Sequence, residues 1–180
     1  IDNTNGAEYY RPGDDLSITM EKDDLGADTL YGEAGDDYID GGLGSDKLYG
    51  GADNDTLVFD ENDSVIDGGI GKDTLLIQDN YSVVDFGHFG INGIDAVDMT
   101  NEAVTTLQLN AADVIANTDG GQLVISGDTG DIVDASEYTV RGADETHDGV
   151  KFARYDHHTT GSSILVEVGL DLNGSTVNEQ

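Results

Sequence analysis

The 180-residue chain has no cysteine, no tryptophan, one proline and only seven Lys and Arg residues. Without thiols, no disulfide can staple the fold and no thiolate can act as nucleophile or zinc ligand. Seven basic residues against 38 acidic ones give a formal charge of -31, a field that repels nucleic acid and anionic lipid and attracts cations. No window approaches the roughly 18 consecutive apolar residues of a membrane span, so membrane insertion is not expected. The opening IDNTNGAEYY lacks the basic and apolar regions of a cleavable secretory signal. A start at Ile1 rather than Met reads as a piece of a longer chain, expected to be monomeric as such a piece. Hydrophobic residues make up 37% of the sequence and aromatics 7%, while 25 glycines each cost entropy to order. Apolar burial alone is a thin basis for a fold.

What is present is a repeat. Asp23 to Leu76 divides without remainder into six blocks of nine: DDLGADTLY, GEAGDDYID, GGLGSDKLY, GGADNDTLV, FDENDSVID and GGIGKDTLL. The eighth residue of each is a branched aliphatic: Leu30, Ile39, Leu48, Leu57, Ile66 and Leu75. The sixth is an aspartate in five blocks, Asp28, Asp37, Asp46, Asp55 and Asp73, and only Ser64 breaks that column. The acids are mostly the shorter carboxylate, which suits turns and oxygen-ligand cages rather than a merely solvated surface. A disordered acidic chain would not place them periodically.

The pattern predicts six residues of Gly- and Asp-rich turn followed by three of strand, repeated. Each strand sends its central aliphatic inward and its neighbours outward. One block turns the chain by about half a coil, so Leu30, Leu48 and Ile66 should line one sheet and Ile39, Leu57 and Leu75 the other. One inward row per sheet is too little apolar burial to order such a chain unaided, so the roll is expected to need a ligand to fold. Calcium, which takes six to eight oxygens from carboxylates and carbonyls, matches what the turns offer. Neighbours on one edge lie 18 residues apart. This pairs Asp28 with Asp46, Asp37 with Asp55, and Asp55 with Asp73, predicting three sites, with Asp63 as a partial substitute beside Ser64. Backbone carbonyls of Gly32, Gly41, Gly50 and Gly68 and of Ala34, Leu43 and Ala52 are the expected companion ligands.

Before the repeat, residues 1–22 read as a lead-in turn at RPGDD and a short strand at LSITM, either the end of a preceding domain or a cap. After it the period is lost but short β-branched segments continue: LLIQ, SVVDF, GIDAVDM, VTTLQL, QLVISGD, DIVDA, YTVRG, GVKFARYD and SSILVEVGL. Asn110 can cap one short helix, AADVIAN. The polar end DLNGSTVNEQ is expected to fray. The fold class is thus all-β, a parallel β-roll over 23–76 followed by an aperiodic β extension over 77–180 with one short helix.

Other motifs carry little. GGIGKD at Gly68 to Asp73 lacks the first glycine and the Ser/Thr of a phosphate loop. His157 and His158 adjoin each other, which suits an exposed hairpin loop better than a closed metal site. His88 and His147 have no partner visible in the sequence. No GxSxG, HExxH or Cys/His arrangement occurs, so the chain is read as non-catalytic.

The blocks GGLGSDKLY and GGIGKDTLL resemble the nonapeptide GGxGxDxUx of RTX proteins, a calcium-binding β-helix repeat. The first and fifth blocks depart most from it. A second resemblance runs through LVFDENDSVIDGGIGKDTLLI, INGIDAVDMTN, LQLNAADVIA, QLVISGDTGDIVD and the hairpin GVKFARYD and SSILVEVGL. This order is similar to the C-terminal region of large RTX adhesins of Gram-negative bacteria. The resemblance implies an uncleaved C-terminal secretion signal, the type I secretion machinery and calcium ions as partners, and an extracellular or cell-surface location in adhesion and biofilm. The tail of an exported lipase or protease, or a calcium-dependent module for sugar, ice or another surface, stays open beside it.

Overall fold

The computed structural model describes residues 8–10, 15–20, 25–87, 90–101 and 103–178. Its strands begin with β1 (Glu8–Tyr10), β2 (Ser17–Thr19), β3 (Thr29–Ala34), β4 (Tyr38–Asp40), β5 (Lys47–Ala52), β6 (Thr56–Val58), β7 (Val65–Ile70) and β8 (Thr74–Leu76). They continue with β9 (Val83–Asp85), β10 (Ile91–Asn92), β11 (Ala96–Met99), β12 (Thr106–Gln108), β13 (Gln122–Gly127) and β14 (Ile132–Asp134). The last are β15 (Val140–Arg141), β16 (Glu145–His147), β17 (Val150–Asp156), β18 (Ser163–Glu167), β19 (Asp171–Leu172) and β20 (Ser175–Thr176); the helix α1 is Ala111–Asn117. The chain falls into two compact units, Ile1–Leu76 with Phe89–Ile94 and Ile77–His88 with Asp95–Gln180.

The first unit is a parallel β-roll. One sheet runs β1-β3-β5-β7-β10, with Leu30 beside Leu48 and Leu48 beside Ile66. The other runs β2-β4-β6-β8, with Ile39 beside Leu57 and Leu57 beside Leu75. All six aliphatics are buried, as the 18-residue register requires. Tyr31 and Tyr49, in the outward ninth position, stack in parallel at 5.0 Å between ring centroids. The two sheets are not equivalent, which corrects the expectation of three-residue strands throughout. On the first sheet β3, β5 and β7 are six residues long and run on through the first three positions of the next block; on the second β4, β6 and β8 are three. The longer strands persist because Glu33 pairs with Gly51 and Gly51 with Gly69, and the backbones approach where no side chain intervenes. The roll also takes in β2, inside the lead-in, and β10, beyond the last block. The RPGDD turn lies outside the described residues apart from Asp15.

The second unit is mixed. β9, β12, β14 and β19 form a parallel sheet, closed by β20 antiparallel to β19. β11, β13 and β18 are parallel, while β17 runs antiparallel to β18 and carries β15 and β16 on its far edge. Phe86, Val97, Met99, Leu107, Leu123, Ile125, Val133, Tyr138 and Leu165 are among its buried side chains. The predicted helix forms where Asn110 caps it. The Asn110 side chain accepts the Asp113 amide and Asp113 accepts that of Asn110, a reciprocal capping box. The expected fraying of the tail is not found through Val177, which is buried. Asn173 and Gly174, at φ 52 and 83, make a two-residue hairpin turn, and the Asn173 side chain both accepts from and donates to the Ala135 backbone.

Candidate metal centre

Asp37, Asp46, Asp55 and Asp73 sit where a turn enters a strand, so their side chains lie inside the coil and meet the backbone of the neighbouring one. On the edge leading into the three-residue strands, the amides of Leu16, Asp37 and Asp55 donate to Oδ1 of Asp37, Asp55 and Asp73 at 2.7, 2.9 and 2.8 Å. On the other edge the Asp28 amide donates to Asp46 Oδ1 at 2.7 Å. The structure therefore brings together all three aspartate pairs read from the spacing. Ser64 interrupts the second column. Its hydroxyl donates to the Asp46 carbonyl at 3.0 Å, and the Asp46 amide turns instead to Asp63 Oδ1 at 3.2 Å.

These carboxylates are shut off from water: Asp28, Asp37, Asp46, Asp55 and Asp73 are at most 2% exposed. The Oδ2 atoms of Asp37 and Asp55 are buried and accept no hydrogen bond from any described residue. Burial without a compensating partner disfavours the charged form. Burial first, then the charges of neighbouring aspartates, raise the carboxyl of Asp37 and push that of Asp55 up to about 7, against the hydrogen bonds they accept. Asp63 is likewise pushed to about 7 by burial and by Asp46.

Glycine makes room for these oxygens. A Cβ on Gly32 would strike Asp37 Oδ2 and lie 2.6 Å from the Gly50 carbonyl oxygen; one on Gly50 would strike Asp55 Oδ2 and lie 2.5 Å from that of Gly68. On the other edge, a Cβ on Gly41 would lie 2.7 Å from Asp46 Oδ2. A carboxylate oxygen and a carbonyl of the next coil thus converge over each first-position glycine of Gly32 and Gly50. Among the described residues no three His, Asp or Glu side chains gather at one point, so a cage here must draw on backbone carbonyls. Oxygen-only donors of this kind suit calcium.

The third-position residues differ among themselves. Ala34 pairs with Ala52 in the sheet, and the Ala52 carbonyl accepts the Gly35 amide at 3.2 Å, so that oxygen already serves the ladder. Leu43 lies in its turn with a partly exposed side chain. Spacing alone missed other oxygens and amides. The second- and fourth-position carbonyls of Gly26, Glu33, Gly51 and Asp53 press on Gly44, Gly51, Gly69 and Gly71 of the next coil, and the Gly93 carbonyl on Gly68. Leu16 and Gly93 escape because they stand 21 and 25 residues from their partners instead of 18. Elsewhere, His157 Nδ1 is bonded to Thr160 Oγ1 at 2.8 Å in the β17–β18 turn, and His147 lies 3.4 Å from Glu145. His88 lies outside the described residues.

Residues 23–57 match the family model of the RTX calcium-binding nonapeptide repeat, in four copies. The array is an RTX calcium-binding repeat. Its cofactor is calcium. No curated protein and no solved structure matches the chain. The match stops at residue 57, but on the edge of Asp37 and Asp55 the same amide-to-carboxylate rung recurs at Asp73, because block six restores glycines and aspartate in register with block four. No helix among the described residues is long and apolar enough to cross a membrane.

Proposed function

We propose that this chain is the calcium-triggered folding and type I secretion region of an exported RTX adhesin, with no catalytic role of its own. Asp28, Asp37, Asp46, Asp55 and Asp73 would hold the ions together with carbonyls of the glycine turns, and residues 77–180 would carry the secretion signal. The observation that supports this most is the pair of buried, unbonded Oδ2 atoms on Asp37 and Asp55, each beside a carbonyl of the next coil. Without a cation the stacked carboxylates repel one another; with one, the same charge becomes binding energy. Calcium modules that work outside cells bind at about 10⁻⁴ to 10⁻³ M. Such a site would stay empty in the cytosol, leaving the chain free to be threaded out, and would fill in the external medium. A calcium titration followed by circular dichroism tests the folding step: β structure that persists in a strong chelator would sink it. The secretion step rests on the adhesin-like order of segments after the roll. Removing everything after Leu76 should abolish export through a type I system, and undiminished export would remove that assignment.

A further inference from the structure

Two aspartates occupy the same place in a coil as the RTX aspartates but are bonded differently. Asp63 Oδ1 accepts the Asp46 amide of the neighbouring coil, as an RTX aspartate would, while its Oδ2 accepts the amide of Asp60 at 3.2 Å. In the second unit Asp131 does the same. Its Oδ1 accepts the Thr105 amide and its Oδ2 the Asp128 amide, both at 2.8 Å. Both turns are also tied by an amide-to-carbonyl bond of 3.1 Å, Asp63 to Asp60 and Asp131 to Asp128. In each case the second oxygen, left without a hydrogen bond in Asp37 and Asp55, is satisfied by an N–H three residues earlier.

The cause is a turn one residue shorter. Asp55 follows its glycine, Gly50, by five positions, whereas Asp131 follows Gly127 by four and Asp63 follows Phe59 by four. The shorter turn swings the earlier amide onto Oδ2. It also changes what faces the glycine: a Cβ on Gly127 would lie 2.6 Å from Asp131 Oδ2 and 3.3 Å from the Met99 methyl, where Gly50 has the Gly68 carbonyl. A methionine methyl offers a cation nothing. We infer that these turns are metal-independent counterparts of the RTX turn, in which a backbone N–H does the work of the ion, and that the Asp128–Asp131 turn of the second unit therefore holds without calcium. This rests on the calcium reading of the RTX turns.

Amide hydrogen exchange on the full chain, in excess chelator and then in calcium, tests the contrast. The Thr105 and Asp128 amides should be equally protected in both conditions, within about threefold, while the Asp37 and Asp55 amides gain about a hundredfold or more with calcium. Asp131→Asn turns a donor toward the Asp128 amide and should deprotect Thr105 and Asp128 to the same extent with and without calcium. Thr105 and Asp128 amides that exchange freely in chelator and recover with calcium would overturn the inference and leave the calcium reading of the RTX turns intact. Full protection of all four amides in chelator would overturn both.

Discussion

Asp55 accepts the Asp37 amide and donates its own to Asp73, so it stands between two sixth-position aspartates of the same column. Asp55→Asn keeps the Oδ1 acceptor for the Asp37 amide and replaces the bare Oδ2 with a neutral donor. Calcium affinity tracks ligand charge, so a loss of about tenfold or more is expected, larger than for Asp28→Asn at the start of the other column. Isothermal titration decides it; equal losses would mean the two columns are equivalent. Glu33 and Asp53 tell a second story. They replace glycines of the motif yet keep the motif's backbone, at φ 80 and 79, a region that costs an L-residue about 1–2 kcal/mol. After the extra entropy of a glycine, Glu33→Gly and Asp53→Gly should each stabilise the calcium-loaded chain by about 0.5–1 kcal/mol. Thermal unfolding in saturating calcium reads this directly, and a destabilised variant would show that the side chain makes up for the strain.

At the scale of turns and strands, the raised carboxyls set a pH dependence. A carboxyl whose folded pKa lies above its unfolded value near 3.8 binds more protons folded than unfolded between the two. For Asp55 and Asp63, at about 7, the metal-free roll should therefore lose stability as pH rises from about 4 to about 7 and change little above. Calcium must displace those protons, so its affinity should climb over the same window. Calcium affinity at pH 5 and pH 8 is the measurement, and affinity no higher at pH 8 would refute the protonated columns. What could be read from the sequence follows the strict period: the inward aliphatics, the 18-residue register, the aspartate pairs and the break at Ser64 with Asp63 beside it. The Asn110 cap was equally legible because one side chain serves both ends of a local motif. The unequal strands were not, since a strand continues through a Gly pair only when the neighbouring backbone is close enough to bond it. Nor were Leu16 and Gly93, whose irregular spacing hides a regular place in space. The short turn at Asp131 could have been found by asking where an aspartate stands one position early, as Asp63 does in block five.

Over the whole molecule, a charge of -31 raises a rival explanation for any effect of calcium: it could act by screening alone. The two mechanisms separate by where the charges lie. Exposed carboxylates feel each other through water and are screened within about 8–10 Å at ordinary ionic strength. The aspartate columns are buried, so mobile ions do not pass between them, and a cation must enter and be ligated to relieve them. Some surface charge is also neutralised locally: Arg154 is bonded to Asp156 at 2.8 Å and to Glu145 at 3.2 Å, and Arg141 to Asp144. Magnesium gives a further distinction, because it demands a small octahedral shell and gives up its water reluctantly, which a cage of carbonyls and stacked carboxylates does not accommodate. Starting from the chelated chain, about 1–10 mM calcium should restore the β signal of the roll. Sodium chloride at matched or tenfold higher ionic strength should not restore it, and magnesium at equal concentration should restore little. If sodium chloride alone recovered the full signal, the acids would be acting as a diffuse charge, and the RTX columns would have no claim to bind an ion.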